Sequence, residues 1–576
     1  MKKVFFIIFI LINIIQPKLG YSYDLRTNIG YGLTVFKDNK ISTFEVEIMG
    51  KLKNNKFNEE LKIGGDSYLI KVSGEEIEKN GGISQGMSGS PIYIDNRLVG
   101  AISSTWAMTN HNMGLMIPIG KMRTLFKYDK KYKQRLNISK KIKNLSTPIF
   151  INGLNDKNID RLRTKLKNVG YKVMKNFSMN KTHKKIDMKA GQAIGIMLAS
   201  GDINITTIGT LTEIKKDGSY IALGHPFLKR GRVSYFLAPV SIFHTFNSME
   251  FPFKIGVPLS PVGSVTEDRN EGIMGKIGVM PRVIHLKIKV YDKKENREGE
   301  IKCSIVRDPL LISEIVTSSL MQAIDNVADR ELEESVKINF SASLQDIDGE
   351  IVNYSRTNSG GFSDAKSFLE NEVLHSIDGL LNNPHKKLIP LDMNIVVTIS
   401  KKKQLQMIKD VTVENDDINP GDDISLKIIF ERFRREDYEK TVKLQIPQNI
   451  SSGEYNISIN CGSEYSNTLS EMNGSRKKEK TFATYLDKLS NGDKNDLIYI
   501  TLTSSNPENF KEKNLNKIKF LDEKYAKFLK RLRKNIEDKK IINNYIARTT
   551  LKVDIPTSGS HDIKLSFGTR EEEEIE

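Results

Sequence analysis

Two short segments of the chain carry side chains whose types suit acyl chemistry. The first is QGMSGSPIY, residues 85–93, where Ser88 lies between Met87 and Gly89, with Gly86 two places before it. A serine that attacks an acyl carbon needs an exposed hydroxyl, a base for its proton, and backbone N–H groups aimed at the developing oxyanion. Gly86 lets the chain take an unusual turn, so that the N–H groups of Gly86 and Ser88 can point the same way as an oxyanion hole. Gly89 and Ser90 are small enough for the turn to pack closely, and Pro91 leads into an apolar strand. The hydrolase elbow G-x-S-x-G does not fit, because Ser90 occupies its last glycine position and a strand, not a helix, follows.

A base must come from eight histidines: His111, His183, His225, His244, His285, His375, His385 and His561. The second segment, IALGHPF at 221–227, sets His225 apart. It ends an apolar strand and is held between Gly224 and Pro226, a placement that makes an imidazole both fixed and accessible. Other chemistries find no support: there is no H-E-x-x-H, no Walker loop and no G-x-G-x-x-G ahead of a helix. His111, and His183 with Asp187, read as loop residues, and Trp106 as a residue that packs or lines the cleft.

The elements that must position these residues are mostly strands. YGLTVF (31–36), TFEVEIMG (43–50), SYLIKVSG (67–74), SPIYI (90–94), LVGAISS (98–104) and GLMIPI (114–119) alternate with turns, and Asp95-Asn96 makes a hairpin. This all-β unit is expected over 23–126, and a basic linker follows. A second β unit is expected over 145–306, opened by a helix whose Ile159, Leu162 and Leu166 share one face and which stops at Gly170. A mixed α/β segment (307–391) contains a helix over 312–331. Four strand-like runs suggest a β-sandwich over 392–475. The remainder, 476–576, holds a basic helix (520–536), a last strand and an acidic tail. The fold class is mainly β.

At 576 residues the chain is too long for one core. Its net charge of +17 is spread among interleaved lysines and acids, so no nucleic-acid partner is expected. Lys2 and Lys3 precede the apolar run Val4–Ile15, and Gly20-Tyr21-Ser22 offers a small-x-small cleavage site. Residues 1–22 therefore read as a signal peptide whose apolar run is short of the ~20 residues a membrane span needs, with an uncleaved anchor as the alternative. No membrane span is expected after its removal, and the protein is expected to be exported: periplasmic, envelope-bound or extracellular. Cys303 and Cys461 have no metal-ligand spacing and could form a disulfide or remain two buried thiols.

The serine turn follows the logic of the loop in chymotrypsin-like double-barrel proteases. More specifically, GGISQGMSGSPI and GTLTEIKKDGSYIALGHP resemble the two signature blocks of the SpoIVB-type serine peptidases, serine peptidase family fifty-five. GYGLTVF, GHPFL, GSVTEDRNEGIMGKIG and INPGDDISLKI are similar to a secreted bacterial branch with the serine block first. The resemblance implies a permuted trypsin-like double β-barrel, cleavage of peptide bonds in a protein or peptide substrate (itself included), and no cofactor or metal. It makes Ser88 the nucleophile and His225 the general base. Three departures stand out. Serine precedes histidine, no PDZ-like stretch is seen, and Ser73 occupies the position of the family's acid. Chymotrypsin-like barrels place the acid a few tens of residues after the histidine, which points to Asp268 as a third catalytic member. Asp202 is the second choice and a Ser–His dyad the third. The alternative to a peptidase is an inactive relative that serves as an envelope binding or scaffold protein.

Overall fold

The structure is a computed structural model. It describes residues 28–52, 67–106, 108–129, 148–167, 173–175, 186–361, 364–415, 418–450, 452–462, 481–492, 494–504 and 545–567. The leader, most of the basic linker, Gly170, His183, the 520–536 segment and the acidic tail lie outside the described residues.

Six strands close the first barrel: β1 (Ile29–Val35), β2 (Ile41–Leu52), β3 (Ser67–Ser73), β4 (Pro91–Ile94), β5 (Arg97–Thr105) and β6 (Met113–Pro118). Around the ring they run β1-β2-β3-β6-β5-β4. The β4–β5 hairpin turns on Asp95 and Asn96, both at positive φ (47° and 59°), the conformation a two-residue hairpin demands. Phe44, Val46, Ile70, Val72, Ile92 and Ile102 fill the barrel.

β7 (Ile149–Asn152) and β8 (Val173–Lys175) lead into a second ring. Its members are β9 (Ala193–Gly201), β10 (Asn204–Ile214), β11 (Ser219–Ala222) and β12 (Gly231–Phe246). After β13 (Phe253–Pro258), which pairs with β12 outside the ring, β14 (Gly263–Arg269) and β15 (Gly272–Ile277) complete it. The pairing of β9 with β10 closes the ring β9-β12-β14-β15-β11-β10. β9 is buried along seven consecutive residues, which explains its unbroken apolar sequence AIGIMLA. It belongs to the barrel and also carries the sheet onward to β17 (Arg297–Val306) and β16 (Val283–Asp292). Strands Ile389–Ile399, Val336–Gln345 and Ile351–Gly360 extend that sheet, with helices Ile312–Val327 and Ala365–Leu381 packed on it.

The last unit is a two-sheet β-sandwich. One sheet holds Gln406–Val413, Asp423–Arg432, Tyr438–Gln445 and Thr557–Ser558. The other holds Gly453–Cys461, Leu497–Ser504, Tyr545–Lys552 and Ser560–Phe567. The sandwich thus runs from 406 to 567, where the sequence reading ends it at 475 and starts it at 392. Three late strands complete its second sheet, and Ile389–Ile399 belongs to the preceding sheet. Sequence periodicity shows that a strand exists but not which sheet takes it. Cys303 and Cys461 are both buried, one in each unit, and form no disulfide with each other.

Two apolar clusters join the barrels. Val35 of the first packs with Ile208, Val240 and Ile242 of the second, and Ala101 and Ile117 pack with Ile221 and Met274. These clusters set how the barrels face each other. Ile221 is fully buried, so Ile221→Ala should cost roughly 2–5 kcal/mol, lost transfer energy plus a residual cavity. The check is the urea midpoint, with an unchanged m-value marking a stability change alone.

Candidate active site

The serine turn, 81–90, links the first barrel's β3 and β4, yet it is held mainly by the second barrel. Thr210 N–H donates to the Ser88 carbonyl (2.8 Å) and its hydroxyl to the Gly86 carbonyl (2.9 Å). The Thr212 hydroxyl donates to the Gly89 carbonyl (2.7 Å). Residues 210 and 212 lie on one face of β10, and both side chains are fully buried. Gly89 has φ +90°, and a Cβ there would fall 2.2 Å from the Thr210 carbonyl and 2.5 Å from Leu223 N. No larger residue allows this approach.

The turn leaves an uneven pattern of backbone donors. Gln85 N–H reaches Pro252 O, Met87 N–H reaches Ser84 O, Gly89 N–H reaches Ile102 O, and Ser90 N–H reaches Met87 O. Between them, the N–H groups of Gly86 and Ser88 have no acceptor among the described residues. The reason is visible in their peptide planes, where N–H and C=O point opposite ways. The Gln85 carbonyl accepts from Lys254 N–H (3.0 Å) and the Met87 carbonyl from Ser90 N–H (2.9 Å). Gly86 N–H and Ser88 N–H must therefore face away from those bonds. Gly86 makes this possible with φ +99°.

His225 arrives on the loop between β11 and β12. Gly224 N–H donates to Ala222 O (2.9 Å), closing a three-residue turn with Leu223 at φ +68°. A leucine in that conformation is strained, and the strain is held by complete burial of the side chain. The imidazole is half-buried, and its Nδ1 lies 2.8 Å from the Pro226 carbonyl. A carbonyl can only accept, so Nδ1 carries the proton and Nε2 keeps its lone pair. Desolvation lowers the imidazole's pKa, only partly opposed by the Pro226 bond, which favours the neutral ring.

Gly86, Ser88 and His225 line one pocket of about 60 Å³. Its other walls include Ile83, Ile102, Ser103, Thr105 and Phe251, none of them charged. The Ser88 hydroxyl, expected to be exposed, is buried and has no hydrogen-bond partner among the described residues, so serine and histidine share the pocket without a bond between them. A second serine–histidine pair exists: His285 Nδ1 lies 3.2 Å from Ser304 Oγ beside an open groove of about 460 Å³. These two face each other across β16 and β17, each strand is paired on both sides, and that ladder leaves no turn of free N–H groups.

Asp268 calls for a correction as the group that orients the imidazole. It is fully buried at the end of β14 beneath the histidine loop. Its Oδ1 accepts from Phe227 N–H (2.8 Å), and its Oδ2 from Leu228 N–H (2.7 Å) and Arg230 N–H (3.4 Å). No bond joins it to His225 among the described residues. Its carboxylate instead fixes the loop that presents the ring. Desolvation raises its pKa to about 6 even against these backbone bonds. Arg269 pairs with Glu267 (2.8 Å) and leaves Asp268 to the backbone. Asp202 accepts from Lys302 N–H (2.7 Å) in the β9–β10 turn, outside the pocket, and Ser73 donates to Glu45 (3.0 Å) on β2. The sequence reading also missed Thr210, Thr212, Phe251 and Lys254. Two threonines spaced by two in an apolar strand were a usable signal for the first pair; nothing local marked the others. Among the described residues no cluster of His, Cys, Asp or Glu could hold a metal, and no helix is long and apolar enough to cross a membrane.

Two facing six-stranded barrels with a serine turn from one and a histidine loop from the other define a trypsin-like architecture. Residues 16–123, the stretch that holds the serine turn, match the family model of SpoIVB peptidase S55, so this part of the chain is similar to that family. No curated protein and no solved structure matches the chain.

The loop-anchoring role of Asp268 can be measured. Asp268→Ala removes two short charge-assisted bonds, at about 1.5–3 kcal/mol each, so a loss of roughly 3 kcal/mol or more is expected in chemical denaturation. The folded pKa, about 6, lies above the ordinary 3.8. The folded state therefore binds this proton more tightly, and that contribution is present below about pH 4 and lost as pH rises through about 6. The deficit of Asp268→Ala should accordingly be larger at pH 4 than at pH 7.

Proposed function

We propose that the protein is an exported serine endopeptidase. Ser88 attacks the substrate carbonyl while Nε2 of His225 takes its proton and later returns it to the leaving amine. The Gly86 and Ser88 N–H groups hold the oxyanion. The observation that carries this reading is the donor pattern of the turn: the N–H groups of 86 and 88 alone lack acceptors among the described residues, at the rim of a pocket shared by a serine and a histidine. The likeness of residues 16–123 to a serine peptidase family supports it. So does the leader-like run Val4–Ile15 for export. The catalytic pair is a dyad whose imidazole is oriented by a backbone carbonyl, with Asp268 acting through the loop. The missing Ser88–His225 bond is of the kind that closes when substrate binds.

The test is labelling of the purified protein by a fluorophosphonate probe, together with turnover of casein and of the chain itself. Wild type should label and Ser88→Ala should not. His225→Ala should slow labelling by on the order of 10³-fold or more, the scale of losing the base. A wild type that takes no label and cleaves nothing would leave the binding or scaffold reading instead. The pocket adds a preference. About 60 Å³ of uncharged space is well under the ~150 Å³ that admits a benzene ring. Peptide substrates with alanine before the scissile bond should be cut at least about tenfold faster than those with phenylalanine or arginine there. A library cleavage profile reads this directly.

A further inference from the structure

Lys254, on β13, is completely buried and makes no ion pair with a carboxylate among the described residues. Its Nζ donates to the Thr34 hydroxyl (2.7 Å) and lies 3.5 Å from the Gly86 carbonyl. Its stem packs flat on Gly86, where a Cβ would come within 3.1–3.3 Å of three of its carbons. Its own backbone N–H holds the Gln85 carbonyl (3.0 Å), the far end of the peptide whose N–H belongs to Gly86. One residue therefore touches the peptides on both sides of Gly86. A methionine would fill the same space without the cost of burying an amine, so packing does not explain the choice.

We propose that Lys254 is a positioning residue for the oxyanion turn, its amine tethering the Gly86 carbonyl to β1 so that the Gly86 and Ser88 N–H groups stay turned toward the pocket. The inference rests on the peptidase reading of that pocket for its effect on rate, but not for its effect on the turn. The amine bonds to Thr34 of β1 and lies 5.8 Å from the ring centre of Phe36 just beyond that strand, while Lys254 pairs in register with Thr245 of β12; none of these three is titratable. Desolvation lowers the amine's pKa from 10.5 to about 7. An ammonium is the stronger donor and adds a positive charge behind the oxyanion, so the tether weakens as pH rises past about 7.

The experiment compares wild type with Lys254→Met, with Thr34→Val as a milder cut of the same tether that keeps the lysine. Amide hydrogen exchange of a peptide covering the turn should be at least tenfold faster in Lys254→Met, and faster to a smaller degree in Thr34→Val. Exchange in the sandwich should not change. Fluorophosphonate labelling of Ser88 should fall at least tenfold in Lys254→Met, through kcat rather than KM where a peptide substrate is used. The wild-type labelling profile should decline on its alkaline side above about pH 7, and this limb should be absent in Lys254→Met. The substitution should also raise Tm at pH 7. Between about 7 and 10.5 the unfolded chain binds the lysine proton more than the folded one, so wild-type stability rises with pH over that window and the variant's advantage fades. Unchanged exchange and unchanged labelling in Lys254→Met would overturn the proposal. A wild type that never labels would sink the peptidase reading alone, and the exchange rates would still decide the tether.

Discussion

The site depends on the grip that β10 takes on the serine turn. Three donors from Thr210 and Thr212 meet three carbonyls in four residues of the first barrel. Each such bond contributes only about 1 kcal/mol net, so the grip is not a large share of stability. Its importance is positional. Serine and histidine belong to different barrels, and apolar clusters alone would let two barrels slide. Buried hydroxyls with one acceptor each do not slide, because any shift leaves polar atoms unpaired in a dry interface. Misplacement of a reacting group by ~1 Å can cost about 10²-fold in rate. A directional clamp beside a non-directional core is the arrangement that meets both demands.

The histidine side uses the same economy with different parts. Leu223 stands in a conformation leucine rarely takes, and the loop beyond it would relax if its ends were free. Asp268 prevents this by accepting from two adjacent amides and approaching a third. A carboxylate in this role is more useful than in contact with the ring: it fixes the backbone on which His225 rides, while Pro226 fixes the ring itself. The departure at Ser73 then has a physical reading, since the imidazole finds its Nδ1 partner within its own loop.

The sequence shows much of this, and its limits are local. Strand alternation, the Asp95-Asn96 turn and the apolar run of β9 can all be read because period and turn chemistry are properties of neighbouring residues. Ser88, Gly86 and His225 can be read because glycine and proline around a polar side chain are conspicuous. Asp268 stands out by its distance from His225, but its partners do not, because no local pattern points a carboxylate at the amides of 227, 228 and 230. Lys254 sits in FKIGVP, where alternation alone would point a lysine at solvent. Only β13 lying against the turn buries it. The late strands escaped for a similar reason: they belong to the sandwich through pairing across long gaps, and no window of sequence contains both partners.

The order of the two barrels along the chain also sets an order in time. A chain that emerges from its N-terminus presents the serine turn long before residue 225 exists outside. The first barrel has its own closed ring and core, but until β10 exists the carbonyls at 86, 88 and 89 have no β10 to meet. On the proposed reading, an early product is a nucleophile without a base and without a locked oxyanion turn. On that same reading, latency until the second barrel has folded follows from the order of assembly.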